Sequence, residues 1–154
     1  MADKPITWLF NAAKNKNETE KEFKAKLKRA TDAQVNCRGS GNSTVFIELA
    51  YYHDWPELVG EVIKRSKVDV HFEKHDGMNA MQATCYRNHI KTAKYLFKNF
   101  DAWDGLWCTS ELHGSSALAE GLDVCRRNGY KELEKLFLEG WKKSDEMRNL
   151  RGRR

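Results

Sequence analysis

The strongest constraint on the fold is an internal repeat. Cys85-Tyr86-Arg87-Asn88-His89-Ile90-Lys91 lies over Cys125-Arg126-Arg127-Asn128-Gly129-Tyr130-Lys131 without a gap, at an offset of 40 residues. The register continues with Ala93 over Leu133, Leu96 over Leu136 and Phe97 over Phe137. Each copy reads as the end of one helix, a turn at Asn88 or Asn128, and a second helix with apolar positions three and four apart. Self-similarity at a fixed spacing marks an array in which each unit buries its apolar face against the next. The pattern therefore predicts an all-α chain of stacked helical hairpins.

The stretch upstream of Cys85 sharpens this. In Asp69-Val70-His71-Phe72-Glu73-Lys74-His75-Asp76-Gly77-Met78, Asp76-Gly77 supplies a tight turn, because glycine readily takes positive φ. Asn79-Ala80-Met81-Gln82 then opens a helix with Asn79 as its cap, and Thr84-Cys85 places small residues where two helices pack closely. This run resembles the hairpin and first helix of an ankyrin repeat, with Asn79-Ala80-Met81-Gln82 where that family has Thr-Pro-Leu-His. Gly41 to Ala50 resembles another first helix, followed by a second that opens at Pro56, a residue tolerated in a first turn. Trp8 to Asn15 resembles an opening half-repeat, and Phe23, Leu27 and Ala30 give its second helix one apolar face. On the opposite face Glu20–Lys24 and Glu22–Lys26 stand at i,i+4 spacing, as suits a capping unit.

The resemblance implies an ankyrin-type helical-repeat solenoid of about four helix-turn-helix units with short hairpin loops, at residues 4–38, 39–72, 73–110 and 111–141. The repeat domain spans 1–141 and a basic C-terminal tail follows at 142–154. No unit keeps Thr-Pro-Leu-His intact. The Phe100 to His113 connection is also longer than the ankyrin period of about 33 residues allows. A non-ankyrin stack of helical hairpins is the structural alternative.

Charge is concentrated at the ends. Lys14 to Arg29 carries seven basic residues against three Glu, and Lys142 to Arg154 six against Asp145 and Glu146, so each stretch is +4. The chain as a whole is +5, which leaves −3 for the remainder and argues against a continuous basic groove for nucleic acid. No run of about 18 apolar residues is present, so no membrane span is expected. The first ten residues lack the apolar core of a signal peptide, and the acidic residues Asp3, Glu18, Glu20 and Glu22 do not suit a mitochondrial transit peptide. Cys37, Cys85, Cys108 and Cys125 are widely spaced. They read as buried thiols of an intracellular reducing compartment: cytoplasm or nucleus, with the mitochondrial matrix also open.

Catalytic and metal chemistry finds little support. Structural zinc wants two close pairs of ligands, and Cys108 with His113 is the nearest pair the chain offers. Gly114-Ser115-Ser116 is not a nucleophile elbow and reads as a loop with Ser116 capping a helix. Gly39-Ser40-Gly41-Asn42 lacks the Gly-Lys-Ser/Thr ending of a phosphate loop and reads as a hairpin tip. No enzyme, no cofactor, no metal and no small-molecule substrate are expected.

Aromatic and basic residues remain. Tyr51, Tyr52 and Tyr86 follow the small core residues of first helices, at places that face the concave surface in ankyrin-like stacks; Arg87, Arg126 and Arg127 fall in comparable positions. Tyr and Arg are the types enriched where binding energy concentrates. Packing of one tyrosine per unit on the next is the competing reading. The resemblance implies non-covalent recognition of a protein across hairpin tips and inner helices, with Arg38, Phe72, Lys74, His75 and Trp103 as further contacts. Trp103 and Trp107 lie on an inserted loop that either reaches a partner or folds back on the stack. The tail residues Lys142, Lys143, Arg148, Arg151, Arg153 and Arg154 read as a solvated extension of the last helix, a nuclear-localisation-like signal or an anchor on an acidic or RNA surface. The expected function is therefore an adaptor or inhibitor that binds a protein partner. The alternative is a structural accessory subunit of a large multi-protein or ribonucleoprotein assembly, held by its basic ends.

Overall fold

The computed structural model describes residues 4–76, 78–100 and 117–152. Gly77, Trp103, Trp107, Cys108, His113, Ser116, Arg153 and Arg154 lie outside the described residues. Among the described residues every regular element is helical: α1 (Trp8–Lys14), α2 (Glu20–Arg29), α3 (Asp32–Val35), α4 (Val45–Tyr52), α5 (Pro56–Arg65), α6 (Ala80–Cys85), α7 (Ile90–Phe100), α8 (Ala117–Asn128) and α9 (Lys131–Gly152). A single 3₁₀ turn, Ser40–Asn42, sits before α4. None of these helices is long and apolar enough to cross a membrane.

The helices form two rows. α1, α4, α6 and α8 touch in that order, α5, α7 and α9 touch in that order beside them, and α4·α5, α6·α7 and α8·α9 are paired across the rows. The shared core lies between the rows and runs from Leu9 and Phe23 through Phe46, Leu49 and Leu96 to Phe137. α4 and α6 are buried along nearly their whole length, so apart from Glu48 and Gln82 their buried positions are apolar or small. α5 and α7 keep one apolar face, which is what a flanking row requires.

Local signals place the helix starts. Thr19 and Thr31 each close a capping box, with Glu22 and Gln34 returning the bond. Thr44 accepts from the Ile47 N–H at 3.2 Å and Asn79 from the Gln82 N–H at 2.9 Å, while Pro56 opens α5. Glu22 is thus engaged at its own helix start, and Lys26 pairs with Glu18 at 2.7 Å rather than with Glu22.

The repeat register differs by one residue from the sequence alignment. In the α6–α7 turn Asn88 is the residue with positive φ, and the His89 N–H reaches back to the Thr84 carbonyl at 2.9 Å. In the α8–α9 turn Gly129 has positive φ, and the Tyr130 N–H reaches the Cys125 carbonyl at 2.9 Å. Matching the turns by their bonds gives an offset of 41, not 40. Glycine takes the left-handed turn position with least strain, so Gly129 claims it and Asn128 stays in the helix.

Three helix ends are closed by side chains from a neighbouring pair. The Arg65 guanidinium donates to the carbonyls of Leu27 at 2.7 Å and Ala30 at 2.8 Å, ending α2 from α5. His89 Nδ1–H donates to the last-turn carbonyl of Ala50 at 2.8 Å. Asp54, in the α4–α5 loop, accepts from both the N–H and the hydroxyl of Thr92 at 2.8 Å and so caps α7.

His53 provides a measurable consequence. Its ring is buried and stacked on Trp55 with centroids 3.8 Å apart. Burial lowers its pKa below the ordinary 6.5, with nearby His89 and Arg87 adding to the effect against the opposing carbonyls of Asn15 and Ala13. The folded chain therefore holds this imidazole neutral where the unfolded chain begins to take up a proton. Stability contributed this way is present above pH 6.5 and is lost as pH falls from there toward the lower folded pKa. Urea midpoints measured from pH 7.5 down to 5.5 should decline, and His53→Gln should flatten that decline. Parallel pH profiles for the two proteins would refute the assignment.

A candidate partner-binding groove

The α4 helix is buried from Val45 to Ala50, and only its last turn emerges, carrying Tyr51 and Tyr52 half-exposed. One row-neighbour along, α6 ends in the same way, and Tyr86 and Arg87 come out beside them. The rings of Tyr51 and Tyr52 meet edge to face at 4.9 Å, and Tyr86 lies 5.7 Å from Tyr51. The Arg87 guanidinium sits over both rings, 5.1 Å from the Tyr51 centroid and 5.2 Å from that of Tyr52. Burial is the main cause that raises the Tyr86 phenol above its usual pKa, so it stays protonated and able to donate.

These tyrosines wall an open groove of about 370 Å³. Its opposite wall comes from two loop tips, through Ser40, Lys74 and Asp76, and its near end from Lys14 of α1. The tips are tied together, since the His75 N–H donates to the Gly41 carbonyl at 2.7 Å. Lys74 stands between two carboxylates, 3.9 Å from Glu48 and 3.6 Å from Asp76. Beyond the tips the Arg38 guanidinium rests on the Phe72 ring at 4.1 Å and donates to the Asn42 carbonyl. Groove and tips thus gather Arg38, Tyr51, Tyr52, Phe72, Lys74, His75, Tyr86 and Arg87 on one side of the inner row.

Arg126 and Arg127 are placed differently. Both are exposed at the end of α8, and each is held by a carboxylate of its own pair: Arg126 on Glu134 at 2.9 Å, Arg127 on Asp123 at 3.0 Å. Of the tail residues, Lys142 and Lys143 are exposed on α9, and Arg148 and Arg151 lie in the helical continuation that ends at Gly152. Trp103 is outside the described residues.

Glu48 and Lys14 were not anticipated as groove residues. Glu48 had a signal, being the lone charge in Val45-Phe46-Ile47-Glu48-Leu49-Ala50. A carboxylate at such a position has to point at a partner, and Lys74 is that partner. Lys14 carried no signal of its own, because it reaches the groove only through the packing of α1 against α4.

Elsewhere, Cys37, Cys85 and Cys125 are buried free thiols. The Cys85 thiol is pushed well up by burial and hydrogen-bonds to Cys125, which that bond pulls down. Among the described residues no three His, Cys, Asp or Glu side chains converge as metal ligands. The chain matches no protein-family model and no curated protein.

Proposed function

We propose that the chain is a non-catalytic protein-binding module, an adaptor or inhibitor, which grips its partner through the loop tips and the emerging ends of the inner helices. The observation that carries this reading is the groove itself. Three tyrosines and an arginine meet beside one open groove, the composition of a binding hot spot. An ankyrin-type solenoid is part of the proposal. It is supported by the two helix rows, the bonded tips and the Asn79 cap at the place of the family's threonine. An intracellular reducing location fits the three buried thiols.

The test pairs binding with stability. Tyr52→Ala and Tyr86→Ala should each weaken retention of the native partner by about tenfold or more, while shifting the unfolding free energy by under about 1 kcal/mol. Equal losses of stability and binding would make these residues packing elements of the stack.

A second reading has its own observation. α9 runs 22 residues, to Gly152, so Lys142, Lys143, Arg148 and Arg151 lie on one helix. A structural accessory subunit of a multi-protein or ribonucleoprotein assembly would use that helix as an anchor. Deleting 142–154 should abolish salt-sensitive association under this reading and leave it intact under the first.

A further inference from the structure

We propose that the groove takes an acidic segment of its protein partner, with a carboxylate docking on Arg87 and a neighbouring side chain lying among Tyr51, Tyr52 and Tyr86. This rests on the protein-binding reading above and adds the chemistry of what is bound.

The argument is an accounting of charge along the groove. The carboxylates that line it, Glu48 and Asp76, both lie against Lys74, and Glu120 accepts from the side-chain amide of Gln82. Lys74 is used by the same contacts. Among the described residues two cations here have no carboxylate partner. Lys14 lies over the Phe10 ring at 5.6 Å, and Arg87 lies over Tyr51 and Tyr52.

Arg87 also differs from the chain's other arginines with described partners. Arg38, Arg65, Arg126 and Arg127 each spend donors on a carbonyl or a carboxylate. Among the described residues Arg87 has ring faces as its contacts and no hydrogen-bond or ion-pair partner, so its five N–H donors are unspent there. A guanidinium held in place on aromatic rings is pre-organised for a two-pronged bond to a carboxylate. Tyr86 adds a hydroxyl beside it, whose oxygen accepts from Gln82 at 3.5 Å and whose proton is free to donate.

A basic segment would bring like charge against Lys14 and Arg87, while Glu48, Asp76 and Glu120 already have partners within the chain. A nucleic-acid strand needs a continuous basic track for its phosphates, and Lys14 and Arg87 do not make one. The acidic protein segment is the ligand these charges suit.

The experiment places the photo-crosslinker p-benzoylphenylalanine at Ser40, an exposed groove residue outside the proposed contacts. The full-length protein is irradiated in native extract, and the attached material is mapped by mass spectrometry. The expected result is a partner peptide rich in Asp and Glu, whose yield falls about tenfold or more in Arg87→Gln and is only partly recovered in Arg87→Lys. Circular dichroism of these surface variants checks that they fold. A captured peptide that is neutral or basic, or one insensitive to Arg87→Gln, overturns the acidic ligand but leaves the groove as a protein site. Nuclease-sensitive capture of RNA, or no capture at Ser40, overturns the protein-binding reading with it.

Discussion

Replacing Phe46 with alanine is expected to cost the chain about 3–5 kcal/mol of unfolding free energy. Phe46 is 1% exposed and sits on α4, the helix that packs against α1 on one side and α6 on the other while pairing with α5. Removing its ring opens a void in the middle of the inner row, where neither neighbour can collapse without dragging its own partner. Domains are held by only about 5–15 kcal/mol in total, so the variant should unfold at a urea concentration lower by about 1 M or more. A loss below about 1 kcal/mol would mean that α4 is not the central helix of the core.

Gly39→Ala should act from the opposite direction, by adding matter rather than removing it. A methyl group at this position would stand 2.1 Å from Cζ and 2.2 Å from Cε1 of Phe10. The backbone is not the obstacle, since φ at Gly39 is −110°. The obstacle is the ring, which is 3% exposed and cannot swing into solvent without leaving the core. Overfilled cores typically lose about 1–3 kcal/mol, and a contact this short argues for about 3. Thermal unfolding of Gly39→Ala, Phe10→Leu and the double variant tests the cause. Shortening Phe10 should recover part of the loss, so the double variant should be more stable than the sum of the single effects predicts. Simple additivity would exclude the Phe10 contact as the source.

The helix pairs and the tyrosine cluster were legible because their signals are local. Asn79, Pro56 and the turn near Asn88 each act within a few residues, and the tyrosines follow small residues at the ends of buried helices. The alignment at 40 misjudged only which residue takes the left-handed turn, and that single choice changes what Arg126 and Arg127 resemble. Matched through the turn at 41, Arg87 falls on Asn128 rather than Arg127, and the two α8 arginines face carboxylates on their own hairpin. The bonds that join pairs were not legible, because nothing in the sequence around Asp54 announces Thr92, or around Arg65 announces Leu27. Those partners are separated by 38 residues and meet only after the stack has formed.

The same bonds bear on how the molecule comes apart. In an array whose units touch only through apolar faces, an end unit can fray while the rest persists. Here the terminal carbonyls of α2 are closed by a side chain of α5, those of α4 by His89, and the start of α7 by Asp54. Melting the α4–α5 pair would leave its neighbours with exposed helix ends as well as an exposed apolar face. Loss of order in one part therefore lowers the free-energy cost of losing the next, and the elements from α2 to α7 are built to unfold as a single cooperative unit.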